Sequence, residues 1–334
     1  MTNKIRADGT APVVPEEEFG RGRDATSPMA IPTPGWKDIL LRVWNQSSDN
    51  RITLVAAGAT FYILLALFPA LAAFVSLYGL VSDPVTIADH IAFLGGLMPS
   101  GGVEIIESQL DALASQQADA LSIGFLLGLA IALWSANNGI KTMFDAMNIV
   151  YKEKEKRGFV RLNAFSALFT LGAILIAIIL IVSVGVIPAI IAFLRLGASA
   201  DQLLATLRWP VMATFIVGGI TLLYRFGPSR ENARWRWLFP GAILATIVWL
   251  AASAAFSFYL QNFADYNATY GSLGAVIGFM TWTWISVTIL LFGAQLNAEI
   301  EHQTARDTTT GPRRELGARG AVMADTIGPA VGRR

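Results

Sequence analysis

Ile52–Val81 reads ITLVAAGATFYILLALFPALAAFVSLYGLV, 30 residues without a single Asp, Glu, Lys or Arg. As a helix at 1.5 Å per residue it would be about 45 Å long, against a hydrocarbon core of about 30 Å. It is therefore long enough to span a bilayer and must tilt, bend or protrude. Moving outward from it, five more stretches carry no ionisable residue in their interiors, at about 121–140, 164–194, 209–224, 237–260 and 272–298. The fourth span, 209–224, is short and holds Pro210 near its start. Continuous apolar runs of this kind argue against barrel strands, which alternate in segments of about 10 residues.

Composition agrees. Of 334 residues, 54% are hydrophobic and 15% charged, with mean hydropathy +0.52. Soluble domains carry about 25% charged residues, so the shortage points to lipid as the solvent. The expected fold is all-α: a polytopic membrane protein of six transmembrane helices in a membrane domain at 36–302. Residues 1–35 and 303–334, rich in Pro, Gly and charge, read as disordered cytoplasmic tails. No apolar h-region precedes the first span, so no cleavable signal peptide is expected.

Orientation follows from the cations. Lys and Arg number seven before the first span, six in the second connection, four in the fourth and six after the last span. The first and fifth connections have none, and the third has only Arg195 and Arg208. Thus 23 of the 25 fall in alternate segments, as expected if both termini are cytoplasmic in a bacterial plasma (inner) membrane. An odd number of spans would destroy that alternation.

Amphipathic segments flank the spans. Trp36, Ile39, Leu40, Val43 and Trp44 share a helical face, the pattern of an interfacial helix with Trp36 and Trp44 as anchors at headgroup depth. Two outer amphipathic helices are expected within about 85–118, broken by Gly95-Gly96 and Pro99-Ser100-Gly101-Gly102. The acidic residues of that connection read as a solvated face, because no Ca²⁺-loop spacing is present.

The chemistry that can be read lies at the end of the second span, LWSANNGIKTMFDAMNIVY. At about 100° per residue, Trp134, Asn137, Lys141, Asp145 and Asn148 fall on one face, with Ala136, Ile140, Met143 and Met147 opposite. Asn138 adjoins the polar stripe, and Lys141 and Asp145 stand at i,i+4 spacing. Tyr62 in the first span and Gln295 and Asn297 in the sixth lie at similar depth. Together they outline a cytoplasm-facing polar cavity, or else side chains that only bond neighbouring helices. Pro69 and Pro188 should kink their spans, and Gly274 with Gly278 forms a GxxxG pair suited to close packing or hinging.

Absences narrow the choice further. There are no cysteines, hence no disulfides or thiolate chemistry, and only two histidines, His90 and His302. No GxxxxGK[ST] loop or HExxH pattern occurs, and no midmembrane carboxylate or amine is available for ion coupling. No enzyme activity, cofactor, metal site or nucleic-acid partner is expected.

Four stretches carry a family resemblance: AAGATFYILLALFPALAAFVSLYGL, LWSANNGIKTMFDAMNIVY, RWRWLFPGAILATIVWL and YNATYGSLGAVIGFMTWTWISVTILLFGAQLNAEIE. In that order, over about Trp36 to Glu301, the chain resembles the YihY/BrkB family of bacterial inner-membrane proteins, once labelled ribonuclease BN. The resemblance implies six spans and an inner-membrane location, with links to virulence, serum resistance and envelope lipid handling but no settled activity. The nuclease label finds no counterpart here, since metallo-β-lactamase-type ribonucleases need several His and Asp ligands.

The functional expectation is a transporter or flippase for an envelope lipid or other amphipathic solute. A non-transporting scaffold or regulator is the alternative, and a membrane ribonuclease stands last. Membrane lipids are the expected partners, with homo-oligomerisation left open.

Overall fold

A chain surrounded by hydrocarbon must satisfy its backbone polar groups internally, which a long helix does within one segment. The computed structural model describes residues 18, 20–78, 123–181, 198–262 and 273–330, and helices dominate them. The elements are α1 (Thr33–Asp49), α2 (Ile52–Tyr78), α3 (Ile123–Val150), α4 (Phe159–Ile181), α5 (Ala198–Phe226), α6 (Phe239–Asn262), α7 (Gly274–Glu301) and α8 (Val322–Asp325). Short 3₁₀ turns occupy Pro28–Ala30 and Trp235–Trp237. Among the described residues there is no strand, only an isolated antiparallel bridge between Ala233 and Thr309.

Helices α2 to α7 coincide with the six apolar stretches, but several limits differ. α3 continues ten residues past 140, to Val150, because a helix does not end where hydropathy does. It stops where Lys152 adopts a left-handed φ of 55°. α5 starts at Ala198 and runs through Pro210, and α2 likewise continues through Pro69 to Tyr78. Pro188 and the outer segment at 85–118 lie outside the described residues.

Among the described residues three segments are long and apolar enough to cross a membrane: Phe159–Ile176, Phe239–Leu260 and Val276–Glu301. Ile52–Ala66 and Pro210–Phe226 are shorter apolar helices among the described residues.

α2 packs along α3, α3 on α4, α4 on α5, α5 on α6, α6 on α7, and α7 returns to α2, closing a ring. The buried seam holds small and flexible side chains: Ala56 and Ala59 of α2, Met143 and Met147 of α3, Ala294 and Ala298 of α7. The outer surfaces are apolar instead, with Leu54, Phe61 and Leu65 of α2, Leu168 and Leu171 of α4, and Ile247 of α6 all exposed. Contiguous exposed apolar surface on that scale marks a membrane-facing chain.

The closest helix approach was not the one the sequence signalled. Gly278 is buried, and a Cβ placed there meets no atom of the described residues within 4 Å. The tight crossing is between Gly241 of α6 and Gly293 of α7. A Cβ on Gly293 would lie 2.5 Å from the Tyr224 hydroxyl and 2.7 Å from the Gly241 carbonyl.

The expectation of disordered tails fails for residues 20–32 and 303–330, which cover one end of the ring. The Arg23 guanidinium donates to the carbonyls of Gln303 (3.1 Å) and Gly328 (2.7 Å), and Thr304 Oγ1 donates to the Ala25 carbonyl (2.8 Å). A Gly- and Arg-rich composition reads as unstructured because its partners are backbone carbonyls far away in sequence.

α1 also differs from its amphipathic reading. Pro34 in its first turn costs no hydrogen bond, since amides there have no intrahelical acceptor. Ile39 is buried, but so are Asp38 and Arg42. Arg42 donates to the Glu299 carboxylate (2.7 Å) and to Gln303 Oε1 (2.7 Å), so α1 is pinned to α7 by charge. Trp44 is 71% exposed, whereas Trp36 packs partly against the cluster around Ile39 and Ile300.

Candidate functional site

The polar stripe of α3 divides when its neighbours are in place. Trp134 is 66% exposed and Asp145 is also exposed. Asn137, Asn138 and Lys141 are half-buried. Lys141 Nζ donates to Asn138 Oδ1 (3.3 Å), and no ion pair joins it to Asp145. Asn137 Oδ1 is buried without a hydrogen-bond donor among the described residues. Tyr62, 45% exposed, follows the packing of α2 on α3 at the same depth: a Cβ on Gly139 would lie 3.8 Å from the adjacent Ile63 side chain.

The rest of the expected cavity is structural. Asn148 is buried beyond the end of the span, where its Oδ1 accepts from the Ser229 amide (2.7 Å) and its Nδ2 donates to Glu155 (3.0 Å). Gln295 is fully buried, accepting from Asn50 Nδ2 (2.8 Å) and donating to Glu299 (3.3 Å). Asn297 is fully buried too. Its Oδ1 accepts from the Gly241 amide (2.8 Å) and its Nδ2 donates to the Leu238 carbonyl (2.8 Å). Amides in the first turn of a helix lack an intrahelical acceptor, so Asn297 caps α6 from another helix.

Met143 and Met147, read as the face opposite a cavity, instead enter the core. Thioether side chains fill irregular gaps between alanines better than short amides do. The expected single cavity therefore resolves into an open group (Tyr62, Trp134, Asn137, Asn138, Lys141, Asp145) and a set of helix clamps (Asn148, Gln295, Asn297).

Charge pairs at the same end were not legible beforehand. Arg230 and Glu301, both 0% exposed, form a two-pronged pair at 2.7 and 3.1 Å. Thr308 Oγ1 donates to the same carboxylate (2.9 Å), and the guanidinium lies 4.2 Å over the Tyr151 ring. Burial alone would lower the Arg230 pKa, but Glu301 more than offsets it and the net direction is upward. Burial pushes the Tyr151 hydroxyl well above its ordinary value.

A second recess, of about 200 Å³, opens beside the start of α6, between Arg234, Arg236, Trp237 and the 305–319 segment. Sequence reading had counted these arginines only as cytoplasmic markers. The RWRW run at 234–237 was the one local sign. Among the described residues no three His, Cys, Asp or Glu side chains are grouped to hold a metal ion.

A chain whose described residues form long apolar helices with large apolar side chains on their outer surfaces is a membrane protein. It belongs to the BrkB virulence factor family, whose model matches residues 43–317. Bacillus subtilis YfkH, named as ribonuclease-like, is 31% identical over 250 residues, 73% of this chain and 88% of that one. A UPF0761 membrane protein of Rhodospirillum centenum is 27% identical over 297 residues, and the match spans 62% of its length. Another, from Pseudoalteromonas translucida, is 22% identical with 89% of its length covered. No solved structure gives a significant match.

Proposed function

We propose that this protein crosses a bacterial plasma membrane six times with both termini cytoplasmic, and moves a lipid or amphipathic solute along a laterally open polar groove on α3. Six helices at six apolar stretches and the 23-to-2 division of cations support the topology. A reporter fused after Arg334 should read cytoplasmic, and one at Gln109 external. Either reversal discards the topology.

One observation carries the transport reading. After the apolar run Ile123–Leu133 of α3, Asn137, Asn138 and Lys141 are only half-buried, and Asn137 keeps a buried acceptor with no donor among the described residues. Hydrocarbon does not solvate such groups, and leaving an acceptor unpaired costs about 1–3 kcal/mol. A headgroup or water reaching the groove from the cytoplasmic side would supply the missing partner. Trp134 and Tyr62, amphipathic and exposed beside it, suit a boundary between wet and apolar surroundings.

The ribonuclease-like name of YfkH is not extended to this chain. Its two histidines cannot form a multi-ligand hydrolytic centre, and His302 is engaged with Glu299 (3.3 Å).

The test is leaflet exchange of fluorescent-headgroup lipids in proteoliposomes, with the pure protein and with Asn137→Leu. The groove predicts accelerated exchange that Asn137→Leu abolishes while thermal stability is retained. A scaffold is the second reading, favoured by the commitment of Asn148, Gln295 and Asn297 to structural bonds. Absence of exchange for zwitterionic and anionic lipids alike would leave the scaffold in place.

A further inference from the structure

The recess beside α6 is lined by six arginines, Arg234, Arg236, Arg306, Arg313, Arg314 and Arg319, against one carboxylate, Asp307. The arginines are not equivalent. Arg319 is buried and spent on the chain itself, donating to the carbonyls of Ala305 (2.6 Å) and Arg306 (3.2 Å) among others. It also lies 3.9 Å from Asp307. Arg234 gives its Nε–H to the Thr309 carbonyl (2.8 Å), leaving the outer edge of its guanidinium free of any acceptor among the described residues. Arg314 makes only an open pair with Glu231 at 3.6 Å. Arg236, Arg306 and Arg313 are exposed, and their guanidinium groups have no acceptor among the described residues.

Asp307 does not balance this charge. It accepts from Thr309 Oγ1 (2.7 Å), the Thr309 amide (2.9 Å) and the Arg314 amide (2.9 Å). Burial would raise its pKa, but these bonds, with Arg319, hold it below the ordinary carboxylate value. Its work is to shape the turn that presents Arg313 and Arg314.

A second observation points to a ligand independently of the charge. Trp237, which also lines the recess, is 1% exposed, and its Nε1–H has no acceptor among the described residues. Indole nitrogen donates only, and a buried donor normally finds an acceptor. A buried donor without an acceptor, beside several guanidinium groups also without one among the described residues, is an arrangement suited to an anion.

From this geometry we infer that the recess binds a phosphate group, either the phosphodiester of an anionic phospholipid headgroup or a free phosphate. Guanidinium groups match phosphate oxygens with paired, parallel N–H bonds and remain charged at every physiological pH. The volume of about 200 Å³ is below the roughly 300–1,000 Å³ of drug-sized sites, which suits a headgroup and not a long chain. Placement favours the lipid source. Arg234–Trp237 immediately precedes α6, which holds one of the segments long and apolar enough to cross a membrane, and Trp235 and Phe239, close in sequence to the lining Trp237, are exposed. This site is separate from the α3 groove, so either inference can fail without the other.

The test uses the full chain, stripped of lipid in neutral detergent, with saturable binding read by calorimetry. One arm is titrated with dioctanoyl phosphatidylglycerol, one with dioctanoyl phosphatidylcholine and one with inorganic phosphate. Phosphatidylglycerol should bind, and Arg306→Gln/Arg313→Gln should weaken it at least about tenfold, the scale of one lost charge-assisted contact. Neither guanidinium has an acceptor among the described residues, and the backbone bonds of Arg306 survive the substitution, so the melting temperature should not move. Lys37→Gln/Lys154→Gln, which removes two exposed cations elsewhere, should bind as wild type. If inorganic phosphate binds and competes, the ligand is a soluble phosphate. If it does not compete, the headgroup is the ligand. No saturable binding of either, or equal loss in both double variants, would overturn the site.

Discussion

Arg230→Met offers the sharpest test of how the end of the ring that carries the charge pairs is held. The substitution removes both prongs of the pair, at 2.7 and 3.1 Å, and the cation over Tyr151, leaving Glu301 at 0% exposure with only Thr308 as a donor. Breaking a buried pair from one side costs about 3–5 kcal/mol, because a desolvated charge is left uncompensated. Replacing both partners by apolar groups of similar volume is often neutral. The pair is also imperfect here, since Arg230 Nε has no acceptor among the described residues. The double variant Arg230→Met/Glu301→Met should therefore recover most of the loss and lie within about 1 kcal/mol of wild type. Reversible unfolding in mixed micelles, titrated with denaturing detergent and followed by tryptophan fluorescence, measures all four corners of the cycle. Single losses below about 1 kcal/mol that simply add in the double variant would refute the reasoning.

Three further outcomes follow from the same structure. Gly293→Ala should destabilise by at least about 1–3 kcal/mol in that assay, because its Cβ would meet the Tyr224 hydroxyl and the Gly241 backbone, whereas Gly278→Ala should be mild. The Glu155 carboxyl, which burial alone would raise, is held at about 2 by hydrogen bonds from Arg157 and Asn148. Its folded value lies below the ordinary 4.5, so its contribution is full above pH 4.5 and lost as pH falls toward 2. Glu155→Gln should then lose about 1 kcal/mol at neutral pH, an amount discounted for the solvent that reaches the group, and converge on wild type in acid. Finally, a water-soluble thiol reagent added from the cytoplasmic side should label Asn137→Cys and Asp145→Cys but spare Met143→Cys. Labelling of the buried Met143 position would contradict the described packing.

Hydropathy located the six long helices because it reports the solvent each stretch needs, and lipid leaves a strong signature. Hydropathy alone does not mark the end of α3 at Val150, whereas the helical spacing of the polar residues out to Asn148 does reach it closely. The spacing puts the polar stripe on one face of α3, but which of its residues are covered depends on the rotation of the helix against what α2 and α7 present, and Trp134 ends exposed while Asn148 ends buried. Ala56, Ala59, Ala294 and Ala298 leave gaps that Met143 and Met147 fill, and no pattern within α3 encodes that. Arg230 and Glu301, or Arg42 and Glu299, are 71 and 257 residues apart. Counted singly, such cations mark the cytoplasmic side. Only the closed ring turns them into pairs, and only the folded 303–330 segment brings Arg306 and Arg313 to Arg234.

The clasp between the two ends of the described chain has a consequence for biosynthesis. Arg23 finds its carbonyl acceptors 280 and 305 residues later, at Gln303 and Gly328. Arg42 likewise waits for Glu299 and Gln303. Until residues 299–329 have been made, Arg23 has only the nearby Glu18 (2.9 Å) and Arg42 has none of its acceptors among the described residues, so the clasp cannot close. Closure is then a single late event, a latch rather than a gradual accretion. A polypeptide released early, or with one helix misinserted, would leave that latch unmade and its arginines open to whatever surveys the membrane for unfinished proteins.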